Sequence, residues 1–220
     1  MSREETIIRA RAELRALYRD LGYGSFYCAV REALCPFFFI EEHLPRTGTI
    51  VDIGCGYGLM ANIIRLMGGD ERTVFGVDLS AYRIGKAQAT VRAGDSRLQF
   101  ICSDIRTAQL PPADGVTMID FLHHIPFALQ EEVLAQLPRI LAPDGVVVIK
   151  EFADRPRWKY WATLLFEAVF YPNDKLTYRP VPEWQAMLEK LGFAVTLHEE
   201  HRGSFVPSVM LIATRTRVAG

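Results

Sequence analysis

The chain has no surplus of positive charge: 25 Lys and Arg stand against 26 Asp and Glu over 220 residues, a formal net charge of −1. The overall positive field that carries binding to a phosphate backbone is therefore missing, and nucleic acid is not the expected partner. Cysteine is scarce. Cys28, Cys35, Cys55 and Cys102 fall in no C-x-x-C and at no zinc-type spacing, which fits reduced thiols in a cytosolic protein and predicts no metal site. Each is expected to be a small apolar packing residue. Long apolar runs are also missing: the longest, YWATLLFEAVFY at 160–171, is 12 residues long and contains Glu167, short of the ~20 residues of a membrane span. The opening MSREETIIRARAEL is charged from its third residue and lacks the apolar core of a signal peptide. A soluble, cytoplasmic protein is expected, which leaves contact with a membrane surface open. There is no internal repeat or low-complexity tract, and nothing specifies an oligomeric state.

What is present is a change of rhythm. Ser2 and Glu5 have the spacing of a capping box, and Ile7, Ala10, Leu14, Leu17, Tyr18 and Leu21 then recur at helical spacing. Gly22, Tyr23 and Gly24 break that helix, and a second one follows, interrupted or bent near Pro36. Residues 1–47 thus read as a helical cap. From residue 49 short β-branched runs alternate with helical stretches: TIVDI, TVFGVD, LQFIC, GVTMID and GVVVIKE. Such alternation indicates an α/β fold of parallel βαβ units, with helices on both sides of an open sheet. ALQEEVLAQLPRIL predicts one helix kinked near Pro138. Residues 152–180 insert a longer stretch before the helix PEWQAMLEKLGF and two last strands, AVTLHEE and SVMLIATRTR, which suggest an antiparallel edge.

Chemistry is concentrated at the ends of these strands. VDIGCGYGLM places Gly54, Gly56 and Gly58 between a strand and a helix, where glycine permits positive φ and lets a ligand lie against the backbone at a helix amino terminus. A tight turn explains the same glycines without a ligand. The third glycine of the dinucleotide fingerprint would fall on Leu59, which counts against that motif. Asp78 ends the second strand, where a carboxylate can accept both hydroxyls of a ribose; either it or Ser80 can instead cap the next helix. Ser103, Asp104 and Ile105 end the third strand, where Asp104 can accept an exocyclic amine and Ile105 can cover a base.

Taken together, D-x-G-x-G-x-G in the first βα turn, an acid after the second strand, Ser-Asp after the third, DFLHH after the fourth and LAPDGVVVIKE into the fifth resemble class I S-adenosylmethionine-dependent methyltransferases. The resemblance covers about residues 45–151 and implies a Rossmann-like three-layer sandwich with a seven-stranded, mostly parallel sheet and an antiparallel edge hairpin. The methyltransferase domain would then span 48–220, with a lid insert at about 152–180. It also implies S-adenosylmethionine as cofactor: Asp52, Gly54, Cys55 and Gly56 around its amino-acid part, Asp78 at the ribose, Leu79, Ser103, Asp104 and Ile105 at adenine, Asp120 and Phe121 near the methionine end. The chain lacks the N/D-P-P-Y/F stretch of enzymes that methylate nucleic-acid amines.

Methyl transfer from a sulfonium is an in-line displacement, for which a base is optional. His123, His124 and Glu151 are the candidates. The histidines read first as pocket wall or helix cap and only second as base, adjacent histidines without a carboxylate triad make a poor metal pair, and Glu151 can instead fix a loop with a hydrogen bond. For the acceptor, Trp158 and Trp161 in the insert and Tyr23, Tyr27 and Tyr178 elsewhere are expected to line an apolar pocket for a small molecule, lipid-like or carrier-bound. Arg155, Arg157, Lys159 and Arg179 form either a solvated flank or an anion-receiving cluster. O-methylation is the favoured reaction. A nicotinamide-dependent oxidoreductase and a non-catalytic cofactor-binding protein are the alternatives.

Overall fold

The computed structural model describes residues 2–152, 176–200 and 208–216. Most of the insert, including Trp158, Trp161, Arg155, Arg157 and Lys159, lies outside the described residues.

Helix α1 (Arg3–Tyr18) starts where the capping box predicts: Glu5 N–H donates to Ser2 Oγ, and Ser2 N–H to Glu5 Oε2 at 2.7 Å. It buries Ala10, Leu14 and Tyr18. Pro36 separates α2 (Tyr23–Leu34) from α3 (Phe37–Glu42), so the second helix is interrupted and not merely bent. A buried ion pair seats α3 against the sheet. Arg72 Nη1 lies 2.6 Å from Glu41 Oε1, both side chains are fully buried, and Arg72 Nε donates to the Pro45 carbonyl at 2.7 Å.

The strands are β1 (Gly48–Ile53), β2 (Arg72–Asp78), β3 (Leu98–Cys102), β4 (Ala113–Ile119), β5 (Leu141–Phe152), β6 (Phe193–Glu200) and β7 (Ser208–Arg215), in the spatial order β3-β2-β1-β4-β5-β7-β6. The first five are parallel, and β7 runs antiparallel to both its neighbours, closing the edge. Alternation along β1 sends Ile50 into one buried cluster and Val51 and Ile53 into the other. The first cluster holds α1 to α3 together with α4 (Leu59–Gly68) and α5 (Ala81–Gln88). The second packs α6 (Phe127–Leu134), α7 (Leu137–Ile140) and α8 (Val181–Lys190) on the opposite face. The result is three layers.

Two local expectations change. The stretch from Ala128 to Leu141 is two helices divided at Ala135 and Gln136, with Pro138 in the first turn of α7, where its missing N–H is no loss. Cys102 is exposed, unlike the buried Cys28, Cys35 and Cys55, so it is not a packing residue.

Candidate active site

The strand order reverses at β1, whose neighbours are β2 on one side and β4 on the other. Ligands of open α/β sheets gather in the crevice beyond the strand carboxyl ends at such a point. Here a cavity of about 200 Å³ opens, and the glycine loop forms its floor. Two of the three glycines answer to packing. A Cβ on Gly54 (φ +70°) would come within 2.2 Å of the Phe121 ring, and one on Gly58 (φ +78°) within 2.5 Å of Phe100. Gly56 (φ +53°) is different: its nearest neighbour would be Arg83 Cδ at 4.0 Å, so the missing side chain leaves open space in the cavity. The loop is tied from behind. Tyr18 on α1 donates its hydroxyl to the Tyr57 carbonyl at 2.8 Å, and Asn62 Nδ2 donates to Tyr18 Oη, Gly58 O and Thr90 Oγ1.

Three carboxylates converge there in different states. Asp78 accepts from Gly56 N–H at 2.9 Å and Ser80 N–H at 2.8 Å, while Ser80 Oγ caps α5 by accepting from Arg83 N–H. Capping therefore belongs to Ser80. Asp78 lines the cavity with about half of its roughly four acceptor positions unused by these two bonds. Asp52 is buried; Thr117 Oγ1 donates to its Oδ1 at 2.7 Å, and its Oδ2 has no hydrogen-bond partner among the described residues. Burial pushes its carboxyl up to about 7 despite the Thr117 bond. Asp120 has φ +49°, is 2.5 Å from Lys150 Nζ through Oδ1 and 2.6 Å from Arg31 Nη2 through Oδ2. Burial pushes its carboxyl up, but Lys150, Arg31 and His123 outweigh that and hold it well below the usual carboxylate range.

Leu79, Ser103, Asp104 and Ile105 line another side of the cavity, as do Cys55 and Phe121. Leu79 is exposed at the rim. Asp104 is engaged by Arg106, whose Nε and Nη2 lie 3.0 and 2.6 Å from its Oδ2. Those hydrogen bonds lower the Asp104 pKa.

The histidine pair divides. His124 is in the cavity wall; burial, reinforced by His123, lowers its pKa to about 3, so it is neutral at physiological pH. His123 is 1% exposed and is not part of the wall; its Nδ1 lies 2.6 Å from Glu151 Oε2 and its ring stacks on Tyr178 at 5.3 Å. Glu151 Oε1 accepts from the N–H groups of Phe121 (3.2 Å) and Leu122 (2.8 Å). Glu151 thus fixes the turn after β4 and is not among the described residues that line this cavity. Tyr27 lies in the wall, whereas Tyr23 is 56% exposed and Tyr178 stacks on His123, and neither is among the described residues that line this cavity. Arg31 and Lys150 were not anticipated. Among the described residues no group of three His, Cys, Asp or Glu can hold a metal.

A family model described as a methyltransferase domain matches residues 25–198. The chain belongs to the class I S-adenosylmethionine-dependent methyltransferase family. Among curated proteins it is 26% identical over 153 residues to sphingolipid C9-methyltransferase B of Emericella nidulans, covering 67% of this chain and 29% of that protein. It is 30% identical over 116 residues to carboxy-S-adenosyl-L-methionine synthase of Chromohalobacter salexigens, covering 50% of this chain and 42% of that one. The chain thus spans less than half the length of these relatives. The fold matches an O-methyltransferase family protein from Burkholderia thailandensis at TM-score 0.67 and 22% identity, over 82% of this chain and 55% of that one. It also matches the magnesium protoporphyrin IX methyltransferase of Synechocystis with bound SAH at TM-score 0.59 and 20% identity, over 78% and 75% of the two chains. The methyltransferase has S-adenosylmethionine as its cofactor, which sets aside the nicotinamide alternative. Among the described residues no helix is long and apolar enough to cross a membrane.

Proposed function

We propose that this methyltransferase transfers a methyl group from S-adenosylmethionine to an oxygen of a small, mainly apolar acceptor. The observation that carries the reading is the convergence of Asp52, Gly56, Asp78 and Asp120 on one cavity. These residues fit the cofactor: Gly56 leaves open space, Asp52 Oδ2 is a buried acceptor without a hydrogen-bond partner, and Asp78 has acceptor capacity for two ribose hydroxyls. Asp52, Gly54, Cys55 and Gly56 would hold the amino-acid part. Leu79, Ser103, Asp104 and Ile105 would hold adenine, with Asp104 exchanging some of its Arg106 contact for the amine. Asp120 and Phe121 would border the methionine end.

The cofactor supplies a methyl group made electrophilic by a sulfonium. The protein's own contribution is to orient the acceptor and exclude water. Phe37, Ile125, Leu129 and Val133, with Tyr27, give the remaining wall an apolar character suited to a hydrophobic acceptor. The name of the sphingolipid relative supports a lipid-like acceptor as one form of it. His124 stays neutral, so it is suited to accept a hydrogen bond from an attacking hydroxyl and hold a lone pair toward the methyl group. With a pKa of about 3 it is a weak base, and orientation is its main role.

The test is turnover of isotopically methyl-labelled S-adenosylmethionine with matched apolar alcohols, phenols and amines, lipid-like and carrier-bound members included. Label on oxygen supports the reading. Label on nitrogen alone overturns the O-methyl assignment, and cofactor binding with no turnover of any acceptor supports a non-catalytic binding protein.

A further inference from the structure

Asp120 lies between two cations that reach it from different elements, Lys150 from β5 and Arg31 from α2. Lys150 is 3% exposed, and its Nζ lies 4.4 Å from the centroid of the Phe152 ring. A buried ammonium so placed calls for a paired anion to offset its desolvation. The register supplies one: Ile119 pairs with Lys150, and Asp120 N–H donates to the Lys150 carbonyl at 2.9 Å. At φ +49°, a conformation that Asp tolerates better than most side chains, the backbone leaves the strand as the carboxylate meets Nζ. The pair lies where charge has a use, because Asp120 borders the cavity while Lys150 stands behind it. For stability alone, an apolar pair would serve as well as a buried ion pair.

We propose that Lys150 is a positioning residue that keeps Asp120 ionised and aimed at the cavity, so that a cationic group of the cofactor, its ammonium or its sulfonium, meets a fixed negative charge. This rests on placing the methionine end of S-adenosylmethionine at Asp120. The charged and titratable groups around Asp120 are Lys150 on β5, Arg31 on α2, and His123 and His124 on its own turn, with Glu151 engaged by His123; Asp52 on β1 lines the same cavity.

Lys150→Met keeps the length of the side chain and removes its charge. Calorimetric titration with S-adenosylmethionine and S-adenosylhomocysteine from about pH 6 to about pH 9 compares the variant with the native protein. Because burial also pushes the Asp52 carboxyl up to about 7, and Lys150→Met leaves Asp52 in place, the ratio of native to variant affinity at each pH is the readout. The ratio is expected to grow toward low pH, as Asp120, still buried and left with Arg31 as its remaining paired cation, takes up a proton more readily than in the native protein. Lys150→Arg keeps the ratio near one, and Asp120→Asn weakens binding evenly across the range. If the effect appears with both ligands, the group read is the ammonium; if only with S-adenosylmethionine, the sulfonium. A ratio that does not vary with pH reduces Lys150 to packing and overturns the proposal. Should Lys150→Met not fold, Lys150→Gln carries the same comparison. If the native protein binds neither ligand, the cofactor placement fails and this proposal fails with it; if it binds and only the pH dependence is missing, the placement stands.

Discussion

The hydroxyl of Tyr18, at the end of the first helix, donates to the carbonyl of Tyr57 in the glycine loop at 2.8 Å. Helix α1 is thereby joined to the glycine loop by a buried bond, and Asn62 donates to the same hydroxyl from α4. Tyr18→Phe keeps the ring and removes the bond, leaving a buried carbonyl without its donor. The cost should be on the order of 1–3 kcal/mol of stability. Calorimetry should also show several-fold weaker S-adenosylhomocysteine binding, since the loop loses its rear support. Native affinity in a destabilised variant would mean that the bond serves the fold alone.

Gly54 and Gly56 should respond differently to alanine. Both have positive φ, which costs a side chain roughly 1–2 kcal/mol. At Gly54 the new methyl also meets the Phe121 ring, so Gly54→Ala should lower the melting temperature markedly. Gly56→Ala meets no such wall and should fold, yet lose most cofactor affinity because the methyl projects into the cavity. Denaturation curves and titration of the two variants, side by side, check this; equal stabilities would remove the packing argument.

The sheet was legible because its strands are short β-branched runs bounded by glycine or acidic residues, and the acids at their ends mark the ligand crevice. Boundaries were less so: Pro138 signalled a kink, but only packing shows that it opens a separate short helix. The contacts that escaped notice join residues far apart in the chain. Nothing local pairs Arg72 with Glu41 or Arg31 with Asp120. Lys150 left one usable trace, a single lysine inside GVVVIKE, a strand apolar on both faces that requires an anion on the next strand. The two histidines could not be ranked from their adjacency, because only the side on which Glu151 lies separates them.

Asp52 predicts a pH slope in stability. Its folded pKa of about 7 exceeds the unfolded value of 3.8, so between these the native state holds a proton that the unfolded chain releases. Its contribution is complete below the unfolded value, declines as pH rises toward the folded one, and is lost above it. Asp120 works in the opposite direction. Its folded pKa is depressed, so its contribution is present above the unfolded value of 3.8 and is lost as pH falls below it. Asp52→Asn should flatten the decline between about pH 4 and pH 7, a change on the order of a few kcal/mol at most. Chemical denaturation at several pH values measures it, and an unchanged slope would show that Asp52 is not the titrating group.

His123 and His124 should separate in kinetics as they do in space. His123 is clamped to Glu151, which also holds the Phe121 and Leu122 N–H groups, so His123→Asn or Glu151→Gln loosens the turn that presents Phe121. Breaking one side of that buried pair should cost about 3–5 kcal/mol where the His123 partner is charged and less where it is neutral, and cofactor affinity should fall with it. His124→Asn breaks none of the Glu151 bonds, though it removes a ring whose centroid lies 4.2 Å from that of His123. Its melting temperature should fall less than that of His123→Asn, with cofactor affinity retained and turnover down about tenfold or more through loss of the acceptor that orients the hydroxyl. Because His124 is already neutral above about pH 3, the native turnover rate should show no step near the usual histidine range from this residue. A step near pH 6.5 that His124→Asn abolishes would place its working pKa far above the value set by burial, and would make it a true general base. Unchanged turnover would leave it as wall.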